Sequence, residues 1–207
     1  MAYRETEHTL ARKADTRQKL LKAARRLVQQ GGFAAASAAS VAKESGVAAG
    51  TIYRHFPNKS ELVAEVFRYA TEREVAEVAA AAAGQSAAND KLSAAIEVFA
   101  HRALLGRQLA YALIAEPVDP RVEQERLRYR YAYAEVFEDV IELGIQQQIF
   151  VKQDSHISAA AVVGLLAESL VGPISPVNEQ KLTSNKKEHL IESLIALVLR
   201  AVGFHNH

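Results

Sequence analysis

"SGVAAGTIYRHFPNKSEL", residues 45–62, sets small residues ahead of a cluster of polar and basic ones. Gly46 follows Ala42 by four residues and precedes Ile52 by six. Two short helices crossing at a tight turn need residue types in that order. A small residue lets the first helix approach the second, and glycine takes the left-handed turn conformation. A branched apolar residue then plugs the core beneath the second helix. The stretch therefore predicts a helix-turn-helix, with Ser37 capping its first helix and Val41 and Val47 entering the shared core.

The second helix carries Ala48, Ala49, Gly50, Thr51, Tyr53 and Arg54 on or near its outer face. Small residues there let a backbone descend into a major groove roughly 12 Å wide. Thr51, Tyr53, His55 and Lys59 are suited to hold phosphates on either side. Each has a plainer alternative: Tyr53 as a core edge, His55 as a helix C-cap, Lys59 as a solvated lysine. Their spacing in one basic segment favours DNA.

Charge supports the same division of labour. Residues 1–60 hold 11 Lys and Arg against 4 Asp and Glu, and the remainder holds 14 against 20, so a head of +7 meets a body of −6. A basic head suits a polyanion.

The chain has 207 residues and no cysteine, which excludes disulfides and thiolate metal sites. The first residues show no signal-peptide pattern, and no uninterrupted apolar run reaches the ~18 residues of a membrane span. A cytoplasmic protein without membrane or cofactor is expected. No GxxxxGK[ST], HExxH or GxSxG motif is present, so enzymatic chemistry is the least favoured class. His205 and His207 stand at the terminus and suggest no metal site.

Alanine, leucine, glutamate and arginine dominate, and no alternating β-branched run is bounded by turns, so the fold class is all-α. Helices are expected near 16–30, 38–45, 48–55, 59–83, 90–105, 107–115, 120–147, 155–171 and 186–203. Asp15 with Gln18, Asn58 with Glu61 and Asn185 with Glu188 have capping-box spacing. Asp119-Pro120 reads as a helix start, Asp154 or Ser155 as another, and Gly172-Pro173 as a stop. This gives a flexible basic arm over 1–15, a DNA-binding domain over 16–62 and a ligand-binding and dimerisation domain over 63–207, with helix 59–83 linking the two.

Three pieces, "GGF" at 31–33, "SAASVAKESGV" at 37–47 and "GTIYRHFPNKSEL" at 50–62, resemble the DNA-binding domain of the TetR (tetracycline repressor) family of transcriptional regulators. The resemblance covers under a third of the chain. It implies an all-α homodimer with a three-helix head, a long fourth helix and a ligand-binding body. It also implies phosphate contacts from Thr51, Tyr53, His55 and Lys59, and base contacts from Ala38, Ala39, Ala49, Gly50 and Arg54. Ser37 stands where the family often has threonine. Ala38, Ala39 and Ala49 stand where it often has polar residues. Direct readout then falls on Arg54, Thr51 and an arm containing Arg4, Arg12 and Lys13, which is suited either to a minor groove or to disorder.

In the body, Tyr129, Tyr133, Val136, Phe137 and Val140 recur at helical spacing. Phe99, His101, Arg102 and Tyr111 are candidates to face them across a cavity for a small amphiphilic ligand, the alternative being an ordinary aromatic core. Arg126, Arg128 and Arg130 read first as a solvated face paired with Glu123 and Glu125. The sharper reading has one or two of them meeting the anionic end of an acyl compound. Two helices, 155–171 and 186–203, are apolar around much of their circumference. Ala160, Ala161, Gly164, Leu165, Leu190, Leu194 and Leu197 are the candidates for a four-helix dimer interface. The leading expectation is a homodimeric repressor that binds a palindromic operator and is released by its ligand. A non-specific architectural DNA-binding protein is the alternative.

Overall fold

The computed structural model describes residues 7–84, 87–178 and 182–204. Among these the chain forms α-helices and no strand: α1 Glu7–Ala35, α2 Ala38–Ser45, α3 Ala49–His55, α4 Lys59–Ala83, α5 Ala88–Leu105, α6 Arg107–Ile114, α7 Pro120–Gln146, α8 Ser155–Ile174 and α9 Ser184–Ala201. The all-α expectation holds, and most boundaries fall within two residues of those read from the sequence.

The start of α1 is the main correction. The Asp15–Gln18 capping box does not form, because Glu7 to Asp15 are already helical. Asp15 instead pairs with Lys19 at 2.8 Å, one turn on, and the Thr16 hydroxyl donates back to the Arg12 carbonyl. Residues 7–15 extend α1, since their alanine, leucine, arginine and lysine all favour helix. Arg4 lies outside the described residues, as do His205 and His207.

Other starts follow their side chains. The Asn58 side chain accepts from the Glu61 N–H at 2.8 Å. That of Asp119 accepts from the N–H groups of Arg121 and Val122, ahead of Pro120, and that of Asp154 accepts from Ile157. Two details differ. Thr183, not Asn185, caps α9 by accepting from Lys186. α8 also runs through Gly172 and Pro173 to Ile174; a proline in the last turn forfeits only its own hydrogen bond when the helix stops immediately after it.

At the crossing of α2 and α3, Gly46 has φ 68°, and the N–H of Val47 reaches the Ala42 carbonyl at 3.1 Å. Glycine in the left-handed position with that six-to-one bond closes a Schellman turn. Ser37 caps α2 by accepting from Ser40. Ile52, 1% exposed, is the plug beneath α3.

Two apolar clusters organise the chain. One joins α1 to α3 with the first half of α4 and includes Leu20, Ile52, Phe56 and Phe67, with Leu109, Ala112, Val122 and Tyr129 from α6 and α7. The other joins Val78 and Ala82 of α4 to α5, α7, α8 and α9. The head thus shares its core with α6 and α7.

A further tie is the "GGF" turn. Gly32 has φ 69°, and the Phe33 N–H donates to both carboxylate oxygens of Glu116, each at 3.1 Å, in the α6–α7 connection. A methyl group at Gly32 would lie 2.6 Å from one of those oxygens, whereas one at Gly46 would meet nothing within 4 Å.

α8 is long and apolar enough to cross a membrane by length and composition. Its inner side packs into the body through Val162, Val163, Leu166 and Leu170.

Gly46→Ala should cost about 1–2 kcal/mol, the steric penalty of a left-handed residue alone. Gly32→Ala should cost more, because it also displaces Glu116. In a Glu116→Ala background the excess should shrink, as a double-mutant cycle from urea unfolding would reveal.

Candidate nucleic-acid interface and ligand cavity

The seven-residue α3 buries Ile52 and turns its other sides outward. Ala48, Ala49 and Gly50 are exposed, as are Tyr53 and Arg54, with Tyr53 at 59%. Thr51 and His55 are half-buried at the helix flanks, Lys59 is exposed at the start of α4, and a Cβ on Gly50 would meet nothing within 4 Å. On α2, Ser37 and Ala38 are half-buried and Ala39 is exposed. The expected residues therefore share one end of the molecule, around a helix with little bulk.

Many of the head's cations are spent internally. Arg17 pairs with Glu65 at 2.5 Å, Lys19 with Asp15, Arg25 with Glu74 and Arg26 with Glu44. Arg54 and Lys59 have no such partner among the described residues. Partial burial, then the charges of Lys13 and Arg17, hold the His55 imidazole below its usual pKa. Arg17 also lies over the Phe56 ring, 5.3 Å from its centroid.

At the seam between the two apolar clusters lies a cavity of about 390 Å³, within the range of small-molecule sites. Its walls include Phe67, Val78, Phe99, Leu109, Leu113, Ile114, Tyr129, Tyr133 and Val163, with Arg25, Glu74, Arg102, Arg126 and Arg130 as the charged members. Of the sequence candidates, Phe99, Arg102, Tyr129 and Tyr133 line this cavity. The Phe99 and Tyr133 rings meet edge to face with centroids 5.1 Å apart. His101 is exposed and outside the wall, one residue and therefore about 100° around α5 from Arg102. Phe137 is fully buried and Tyr111 half-buried in the body core, so neither borders the cavity.

The arginine triplet of α7 divides. Arg128 is exposed and pairs with Glu125 at 3.4 Å, a surface pair as expected. Arg126 is buried: it pairs with Glu123 and donates to the carbonyls of Leu113 at 3.0 Å and Glu116 at 2.6 Å. It is a wall of the cavity and a brace for the end of α6, not a solvated side chain. Arg130 is exposed and borders the cavity.

Burial lowers the Arg126 pKa without removing its charge. The hydrogen bond that Arg102 donates to Glu74 raises its own pKa. Burial, with Glu74 adding to it, keeps the Tyr133 phenol protonated.

Sequence reasoning missed Arg25, Gln29, Thr71 and Glu74, which approach the cavity from α1 and α4. Arg25 stands five residues past Leu20 on α1, and nothing in that spacing marks it as inward-facing.

On the dimer candidates, Ala160, Ala161 and Gly164 are exposed along α8, with Ile157 at 65%, and Leu197 of α9 is 42% exposed. Leu165 and Leu190 are half-buried. Leu194 is a correction: it is buried in the protomer's own core, on the α9 face that meets α5.

Residues 20–66 match the family model described as bacterial regulatory proteins, tetR family. That stretch of the chain is similar to tetR-family regulatory proteins. The chain is 43% identical over 53 residues to the HTH-type transcriptional regulator AcrR of Shigella flexneri, a match covering 26% of the chain and 25% of AcrR. The alignment thus spans about a quarter of that curated relative. Over the whole fold, the chain resembles FadR of Bacillus subtilis in complex with stearoyl-CoA, with TM-score 0.73 and 19% identity over 91% of this chain and 99% of that one. A TetR-family regulator from Rhodococcus sp. superposes with TM-score 0.74 at 18% identity, covering 92% and 100% of the two chains. At such identities the likeness extends to the fold alone.

His55 provides a test of the head's electrostatics. A histidine whose folded pKa lies below its unfolded value near 6.5 contributes stability fully above that value and loses it as pH falls through the folded one. Between pH 7 and 5 the wild type should lose stability more steeply than His55→Gln, as read from urea midpoints.

Proposed function

We propose that this protein is a ligand-responsive transcriptional regulator that binds a DNA operator as a homodimer. The observation that carries the reading is the exposed α3, stripped of bulk at Ala48, Ala49 and Gly50 and flanked by Tyr53, Arg54 and Lys59. Such a helix enters a major groove while its neighbours hold phosphates. Ser37, Ala38 and Ala39 extend the same surface from α2, and Thr51 and His55 flank it.

The second copy covers the outward faces of α8 and α9. Ala160, Ala161 and Gly164 give a close-approach surface, with Ile157, Leu165, Leu190 and Leu197 around it. An isologous pairing on a two-fold axis buries these faces together. It sets two α3 helices over half-sites roughly 34–36 Å apart in a palindrome.

The cavity takes a small amphiphilic ligand, whose presence favours a state in which that spacing no longer fits. Such coupling needs only ~1–3 kcal/mol. The stearoyl-CoA bound to Bacillus subtilis FadR, a chain of this fold, supports an acyl compound as the ligand class. Repression relieved by the ligand, in the cytoplasm of a bacterium, is the direction of control that this reading favours.

Selection from a pool of random duplexes tests it. A regulator enriches one palindrome and prefers it strongly over competitor DNA, whereas an architectural protein enriches none. Lys59→Ala should weaken binding to all duplexes and reduce the salt slope by about 1, whereas Arg54→Ala should relax specificity at particular positions. An unchanged slope in Lys59→Ala removes that residue from the interface.

For the dimer, Gly164→Arg should yield folded monomers in sedimentation, since no group of the protomer lies within 4 Å of a Cβ at that position. Dimers that persist would place the interface elsewhere.

A further inference from the structure

Arg25 belongs to the DNA-binding head by sequence, yet its side chain reaches the wall of the body's cavity. One NH2 group donates to Glu74 Oε1 at 3.2 Å. The Arg25 Nε is buried with no hydrogen-bond partner. Glu74 commits its other oxygen to Arg102, whose Nε donates to Oε2 at 2.6 Å. A single carboxylate is therefore shared between two guanidinium groups, one from α1 and one from α5. The shorter bond goes to Arg102.

This arrangement leaves Arg25 under-satisfied. A guanidinium presents parallel N–H donors that a carboxylate accepts two at a time, and such forks are the strong form of the interaction. Glu74 cannot offer that fork to Arg25 while it serves Arg102. A buried N–H without a partner costs free energy that a ligand oxygen recovers. The cavity wall carries Arg25, Arg102, Arg126 and Arg130 against Glu74 alone. Glu77, 3.8 Å from Arg102, stands half-exposed outside that wall. Beyond the charged end, Phe67, Phe99, Leu109, Leu113, Ile114 and Val163 give an apolar lining.

We infer that the cavity binds an amphiphilic carboxylate whose head displaces Glu74 from Arg25, so that the DNA-binding head itself touches the ligand. The inference rests on the regulatory reading above and names its ligand class and its first contact. The ligand's two oxygens take the Nε and NH2 donors of Arg25, Glu74 keeps Arg102, and the tail lies along the apolar lining. The Arg25–Glu74 pair between α1 and α4 is then lost, and Arg17–Glu65 remains. Arg25 is held by a mobile molecule instead of by α4, and α1 is less firmly tied to α4 around Arg25.

Calorimetric titration with dodecanoate, dodecanol and dodecyltrimethylammonium, each below its aggregation range, tests this on the full chain. The wild type should bind dodecanoate about ten-fold or more tightly than dodecanol, the scale of a charged hydrogen-bonded pair, and should bind the cation most weakly. Arg25→Ala should erase the preference for dodecanoate, and Arg25→Lys should keep part of it. Glu74→Gln should bind dodecanoate more tightly than wild type, because the competing carboxylate has gone. This variant decides the matter if Arg25→Ala does not fold. A preference that survives in Arg25→Ala, or weaker dodecanoate binding in Glu74→Gln, overturns the inference.

On the duplex selected above, dodecanoate should release wild type but not Arg25→Ala; equal release of both also overturns it. A wild type that selects a duplex yet shows no carboxylate preference sinks this inference and leaves the regulatory reading standing. A wild type that selects no duplex sinks the regulatory reading, and the calorimetric comparison still decides whether Arg25 holds the anion.

Discussion

Helix α4 cannot bury its two halves in one core. Its first half carries Leu62, Val63, Val66, Phe67 and Ala70, all within the head's cluster, and its second half carries Val78 and Ala82 within the body's. A 25-residue helix spans about 37 Å, more than one small core can cover. The division places a seam near Thr71 and Glu74, and the cavity opens there. Both the connection between head and body and the position of the pocket follow from this single helix being apolar at both ends.

Polar ties bind α1, α5 and α7 to α4 at the seam and along its first half. Arg17 to Glu65 and Arg25 to Glu74 join α1 to α4, Arg102 carries the second of these to α5, and Arg121 joins α7 to Glu61. Glu116 binds the backbone of the "GGF" turn while Arg126 holds the Glu116 carbonyl. Partly buried pairs of this kind contribute little net stability compared with apolar packing, but losing one partner is costly. They therefore act as positioning devices whose exchange alters how α1 lies on the body more than it alters whether the chain folds.

The local elements were legible because their signals are local. Asn58, Asp119 and Asp154 cap helices with their own side chains, and Gly46 lies where a left-handed residue is required. The cavity was half legible. Phe99, Arg102, Tyr129 and Tyr133 belong to helices whose aromatic periodicity marks an inner face, but periodicity could not separate them from Phe137, which is core. Arg25 and Glu74 were invisible, since their importance comes from a meeting of side chains 49 residues apart in the chain. The same limit explains Leu194: an apolar residue on an apolar helix does not declare which partner it faces. At the N-terminus, residues 7–15 combine charge with strong helix propensity, and charge alone does not separate an arm from a helix.

If α3 enters a groove as proposed, its methyl-faced tip has a consequence for the kind of duplex such a head selects. Alanine and glycine supply no hydrogen-bonding atoms to base edges, so few base pairs are distinguished by direct pairing. Discrimination then shifts to the mechanics of the double helix, to groove width and to the ease with which particular steps bend. Binding sites chosen in that way tolerate substitutions at the letters beneath the helix and resist them where stiffness changes, so related sites share a contour before they share a spelling.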